Sequence, residues 1–360
     1  TQYFFGVSGG IQEPVPPLFG ALGIEGGDTF EYTGNSQHDF LFDLERLFGC
    51  PEAGRFVLSL ENVWGQWGNV SLETGATAPP LFNALFPIDQ EANGVPRVTN
   101  FLYVQPLSER LIVSVGKTRL VGVADKNIFA GGDGSDQFMN QTFVANPLIL
   151  EQMVFSTFSA GAVMPREWGA MSIRVIDTKE RSLDFMEFGD LFADGMVLIG
   201  AIRVNTNFFG KPGEHHIGGN YKHSKLLDLR FSPLPPPYPY PPAPPGFPTK
   251  SDTYTIFYGF DQYIDVYGKP DGPGGAPGWG MFGRAGISDG GGGNPNFKGW
   301  HVSGGFGGDS PFHGRRDKHD RFGIAYGFTS TSNAWGAIPA TLFGPRDSQA
   351  FEAFYRYQIT

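Results

Sequence analysis

Apolar and polar residues alternate along this chain with a period of two, the mark of strands with unlike faces. In residues 1–10, Tyr3, Phe5 and Val7 share one face, and Gln2, Gly6 and Ser8 the other. Phe40, Phe42 and Leu44 alternate with Asp39, Asp43 and Glu45. Phe56, Leu58 and Leu60 alternate with Arg55, Ser59 and Glu61. The pattern returns with Met171, Ile173 and Val175 against Ser172 and Arg174, and with Leu198, Ile202 and Val204 against Arg203, Asn205 and Asn207. Near the end, Phe322, Ile324, Tyr326 and Phe328 oppose Gly323, Ala325, Gly327 and Thr329. Tyr355, Tyr357 and Ile359 oppose Glu352, Arg356, Gln358 and Thr360.

Fourteen strands are predicted, near 1–10, 37–47, 54–64, 99–107, 110–118, 152–163, 168–178, 196–208, 215–226, 253–266, 278–287, 298–309, 321–330 and 351–360. Short connections fall at 48–53, 108–109, 164–167, 209–214, 267–277 and 310–320. Long ones fall at 11–36, 65–98, 119–151, 179–195, 227–252 and 331–350, with 288–297 a shorter Gly-rich member of that set. A half-polar strand suits a soluble sandwich, whose apolar face is the core. It equally suits a membrane barrel, whose apolar face meets lipid. Three features favour the barrel. Tyr and Phe gather near strand ends, as interfacial girdles do. The polar faces carry Gly, Arg, Asp and Glu but little Lys. Short and long connections alternate, as in an antiparallel up-and-down barrel.

Composition agrees. Gly is 52, Pro 29 and Phe 34, and charged residues are 17%. That much Gly and Pro disfavours helical bundles. The aromatic content of 15% and net charge of −10 disfavour disorder. The acidic balance argues against a nucleic-acid partner. No run of about 18 apolar residues predicts a spanning helix. The chain opens inside a strand-like run with no signal peptide ahead of it, so it reads as a processed or trimmed form. The single Cys50, in Gly49-Cys50-Pro51-Glu52, reads as part of a turn.

Residues 100–118, NFLYVQPLSERLIVSVGKT, form a hairpin turning at Ser108-Glu109. Its aromatic-x-x-Gln strand and following Val-x-Val-Gly-Lys resemble the carbohydrate-selective porin family (OprB type) of bacterial outer membranes. The segments Asp136–Phe143, Gly189–Gly195 and Gly280–Gly286 are similar to later blocks of that family, and the match runs from about residue 37 onward. The resemblance implies a transmembrane barrel of sixteen strands around a sugar-permeable pore, mainly monomeric, with a trimer as the alternative. Fourteen visible strands correspond to sixteen minus a last hairpin after Thr360, and an open edge in lipid is not tolerated. The family's leading segment before the first strand is also missing. The loop 233–248, PLPPPYPYPPAPPGFP, departs from the family and predicts a stiff polyproline cap over the mouth.

A porin needs weak, reversible contacts to sugar hydroxyls and ring faces rather than a catalyst. The candidate pore-lining residues are Asp39, Asp43, Glu61, Arg174, Arg203, Arg284 and Arg356 on strands. Arg119, Asp125 and Lys126 join them on connection 119–151, which is long enough to fold inward as a constriction. Glu45, Arg55, Lys222 and Glu352 share the inward parity. Taken singly, each such charge is as readily explained by pairing across neighbouring strands. Lys117 has lipid-facing parity, and either snorkels or is turned by a bulge. Gly131-Gly132-Asp133-Gly134-Ser135-Asp136 reads as a plain turn, since two carboxylates without a bidentate acid make a weak calcium loop. His215-His216, and His313 and His319 around Arg315-Arg316, read as solvated turns. No metal, cofactor or catalytic group is expected. No nucleophile elbow, zinc-binding helix or phosphate loop occurs in its proper context. The partners expected are small carbohydrates and outer-membrane lipid. Two other readings stay open: a barrel closed by its loops with an adhesive or structural role, and a soluble all-β carbohydrate-binding module.

Overall fold

The computed structural model describes residues 2–8, 29–50, 52–65, 94–120, 125–131, 137–185, 188–228, 246, 248–268, 276–289, 296, 298–312, 320–332 and 347–358. The strands are β1 (Gln2–Ser8), β2 (Thr29–Asp43), β3 (Arg55–Gly65), β4 (Arg97–Ser108), β5 (Leu111–Arg119), β6 (Ser156–Arg166), β7 (Gly169–Asp177), β8 (Gly195–Phe208), β9 (Lys211–Leu227), β10 (Thr249–Val266), β11 (Gly278–Ser288), β12 (Lys298–Asp309), β13 (Arg321–Thr331) and β14 (Ser348–Arg356). They form one sheet in chain order, each antiparallel to the next, which is an up-and-down meander. Among the described residues β1 and β14 are not paired with each other.

The alternation is inside out relative to a soluble protein. On β10, Tyr254 and Ile256 are 47% and 48% exposed, while Thr253 and Thr255 between them are 2% and 1% exposed. Leu198, Ile202, Val302, Phe306, Ile324 and Tyr326 are likewise exposed on their strands. Buried threonines under exposed isoleucines would be costly in water. They are the expected order where the outer face meets hydrocarbon.

Several predicted boundaries are corrected. The strand expected at 37–47 runs instead from Thr29 to Asp43, the strand expected from 152 begins at Ser156, and Leu44–Phe48 forms a short helix, α1. The Asp43 carboxylate caps it by accepting from the Arg46 amide, and Gly49 closes it at φ 66°, a left-handed conformation suited to glycine. Glu45 therefore leaves the strand wall. The strand expected from 215 begins at Lys211, because Phe209 and Gly210 both take positive φ and make a two-residue hairpin turn. His215 and His216 thus lie within β9, not in a turn.

The sheet curls around the chain between β5 and β6. This stretch carries two short helices, α2 (Gln141–Val144) and α3 (Pro147–Gln152), capped by the side chains of Asn140 and Asn146. Ile149, Met153 and Val154 pack on Ile176, Val197 and Ile199 of β7 and β8 and on Phe257 of β10. Phe129, Phe138 and Phe143 pack on Tyr263, Phe282 and Ala325 of β10, β11 and β13. One segment touching the inner faces of β7 through β13 requires a curved wall. Glycines on that wall let it approach. A Cβ on Gly327 would stand 2.4 Å from Thr142 Cγ2, and one on Gly280 would stand 2.4 Å from the Phe129 ring.

Candidate functional site

The interior has two unlike halves. Over β9–β14, segment 125–153 covers the wall and is tied to it by buried polar contacts. Arg284 of β11 lies under the segment and is 2% exposed. Its Nη1 donates to the Phe143 carbonyl at 2.5 Å, and its Nε lies 2.7 Å from Asp125 Oδ2. Asp125 Oδ2 also accepts from the Asn146 amide at 2.6 Å, and Oδ1 lies 3.1 Å from His216 Nε2. Burial would raise the Asp125 carboxyl, but the Arg284 charge and the bonds from His216 and Asn146 outweigh it and hold the group well below its ordinary range. Asp261 of β10 accepts from the Ile128 amide, and Glu352 of β14 accepts from the Met139 and Asn140 amides, both at 2.9 Å. Glu151 of α3 accepts from the Lys298 amide, and Gln152 donates to Thr255 Oγ1. Carboxylates that accept main-chain amides fix a segment more firmly than exposed ion pairs do.

Over β2–β8 the inward side chains are less covered, apart from Ile176, Val197 and Ile199 of β7 and β8, which lie under Ile149, Met153 and Val154. Asp39 accepts from Ser59 Oγ at 2.5 Å and from Gln37 Nε2 at 2.9 Å, and Asn100 Nδ2 donates to the same Ser59 hydroxyl. Arg174 is held by two hydroxyls, Ser159 and Ser114, each at 2.8 Å. Arg203 pairs with Glu214 on the next strand at 2.7 Å. At the long-loop end, Arg119 lies 3.9 Å from Glu61, donates to Gln37 Oε1 at 2.8 Å, and stacks over Phe155.

The ten sequence candidates therefore separate. Asp39, Arg174 and Arg203 face inward on the less covered half. Arg356 faces inward at the short-turn end of β14, opposite Arg321. Glu61 and Arg119 are brought together and buried. Asp125 and Arg284 are brought together and buried under the segment, while Lys126 is exposed beside them. Asp43 sits at a turn, where it caps α1 and lies 3.9 Å from Arg55. Lys117 keeps its outward parity but is buried, donating to the Asp184 carbonyl at 2.5 Å. Residues 132–136 of the stretch read as a plain Gly-rich turn, most of the proline-rich stretch, and residues 313–319 with their His and Arg lie outside the described residues.

Sequence reading missed Glu214, His216, Gln37 and Ser59. Parity on β9 would have found Glu214 and His216 once the turn was set at 209–210. Gln37 and Ser59 share the inward parity of Asp39 but are uncharged. Among the described residues, no cluster of three or more His, Cys, Asp or Glu could hold a metal ion.

The sequence profile for "Carbohydrate-selective porin, OprB family" matches residues 28–360. The chain belongs to the carbohydrate-selective porin family of OprB type. This porin is accordingly a bacterial outer-membrane protein, and its family and fold are those of channels. The high-pH structure of Pseudomonas putida OprB superposes with a TM-score of 0.70 at 14% identity, covering 98% of this chain and 85% of that one, a likeness of fold. The low-pH structure of the same protein gives 0.45 at 12% identity over 84% and 71%. A porin refined at 1.8 Å resolution gives 0.34 at 9% identity over 91% and 93%. No curated protein matches the chain.

Proposed function

We propose that this porin is a passive channel for small sugars, with segment 119–151 as its constriction and the less covered wall of β2–β8 as its sugar-facing side. One observation carries the reading. Asp39, Arg174 and Arg203 of β2, β7 and β8 keep polar side chains turned inward on the less covered wall, Arg203 being paired with Glu214 at its edge on β9. Sugar hydroxyls both donate and accept, so a wall offering carboxylates, guanidinium groups and serine hydroxyls can exchange partners with a passing ring. Contacts already shared with wall neighbours are individually weak, as transit demands. Diffusion needs no moving part, and a segment anchored through buried main-chain bonds gives a fixed aperture. Arg356 and Lys126 flank this path, and Glu61 with Arg119 borders it at the long-loop end.

The test is conductance in planar bilayers with added monosaccharides and disaccharides. Steady ion flow that sugars block in a concentration-dependent way is the expected result. Flow that sugars leave untouched would remove the sugar-facing wall. An absence of flow in well-folded protein would favour a barrel closed by its loops.

A further inference from the structure

The outer wall carries a built feature away from the channel. The connection between β7 and β8 folds back over the outside of β4, β5 and β6. Arg181 fixes it, 3.1 Å from Asp177 Oδ2 and 2.7 Å from Asp190 Oδ1. The Arg181 amide donates to the Ser156 carbonyl at 2.9 Å, and Glu180 accepts from the Phe155 amide at 2.6 Å. Lys117 reaches out from the wall to the Asp184 carbonyl. The flap thus turns Glu180 and Arg181 toward the wall, while Leu183, Phe185 and Phe188 stay more than half exposed. In water that arrangement is the wrong way round. Between flap and wall runs a groove of about 320 Å³, lined by Phe101, Tyr103, Val115 and Phe158 on the wall and Phe188 and Leu191 on the flap.

We propose that this groove is a docking site for one hydrocarbon chain of an outer-membrane lipid. It is continuous with the apolar outer wall, which already faces the bilayer. No charged residue lines it, so it selects a chain rather than a headgroup. A second copy of the protein is a poor occupant, since a stable protein interface needs roughly 800 Å² from each partner and this concavity is narrow.

The test is native mass spectrometry of the delipidated, detergent-solubilised porin titrated with dipalmitoyl phosphatidylglycerol, and separately with its water-soluble headgroup alone. One tightly retained lipid and no retained headgroup are expected. Ala160→Phe fills the groove floor and Leu191→Asp makes the flap polar; each should weaken retention of that lipid about tenfold or more, with heat-modifiable barrel migration and conductance unchanged. If Ala160→Phe does not fold, Leu191→Asp decides. Equal retention in the wild type and the folded variants overturns the proposal, as does headgroup binding without the chain. A wild-type dimer lost in the variants would give the groove to a second copy and overturn it too.

Discussion

Arg284 Nε lies 2.7 Å from Asp125 Oδ2, and both side chains are almost wholly buried between the wall and segment 125–153. The contact joins a strand residue to a loop residue 159 positions earlier in the chain. It makes Arg284 an anchor for the segment, although its strand parity is that of a channel-facing group.

Removing the anchor leaves Asp125 charged and buried without its guanidinium. Breaking one partner of such a pair typically costs about 3–5 kcal/mol. Arg284→Met is therefore expected to release the segment: conductance rises and the urea midpoint falls. Asp125→Asn in the Arg284→Met background should recover part of that stability. Wild-type conductance in Arg284→Met would refute the anchoring role.

Arg203 and Glu214 are partly exposed, and an exposed pair is worth roughly 0–1 kcal/mol. Arg203→Ala should leave thermal stability within that range. Half-maximal sugar block is expected to shift several-fold, read as the sugar concentration that halves the current. A block curve that overlays the wild type would take Arg203 off the sugar path.

The glycine wall makes a steric prediction. A side chain at Gly327 meets Thr142 Cγ2 at 2.4 Å. Overpacking of this kind typically costs about 1–3 kcal/mol. Gly327→Val should loosen α2 from β13, visible as faster proteolysis within 125–153 in an otherwise folded barrel. Unchanged cleavage would mean the approach is not tight.

The Asp125 carboxyl titrates below its ordinary 3.8 in the folded protein. Its native pKa is depressed, so the stability it contributes is complete above the unfolded value and is lost as pH falls through the native one. Conductance should hold steady above about pH 4 and rise on further acidification. In Asp125→Asn it should already be raised and flat over that window. Parallel profiles in the two proteins would contradict the assignment.

On the outer wall, Asp190 is drawn down to about 2 by hydrogen bonds from Lys179 and Arg181. The sign is the same: its hold on the flap is full above the ordinary 3.8 and fades as pH falls through about 2. Asp190→Asn should raise amide exchange in the flap at neutral pH. Equal exchange in both proteins would show that Asp190 does not hold it.

The period-two alternation determined the strands and the face of nearly every strand residue, because side-chain direction in a strand follows from parity alone; the alternation of short and long connections pointed to the chain-order topology. Asp39, Arg174 and Arg203 were legible for that reason, and so was the outward parity of Lys117. Parity gives direction but not neighbours. It could not say that segment 125–153 covers β9–β14, so it could not tell that Arg284 is buried against Asp125 while Arg203 stays partly open. Nor could it tell that the flap after β7 buries Lys117. Those outcomes depend on contacts between residues far apart in the chain, which form only when the sheet curls and its glycines admit the segment. The sequence by itself determined which way each strand residue points; only the tertiary structure decided which inward charges are covered and which stay partly open.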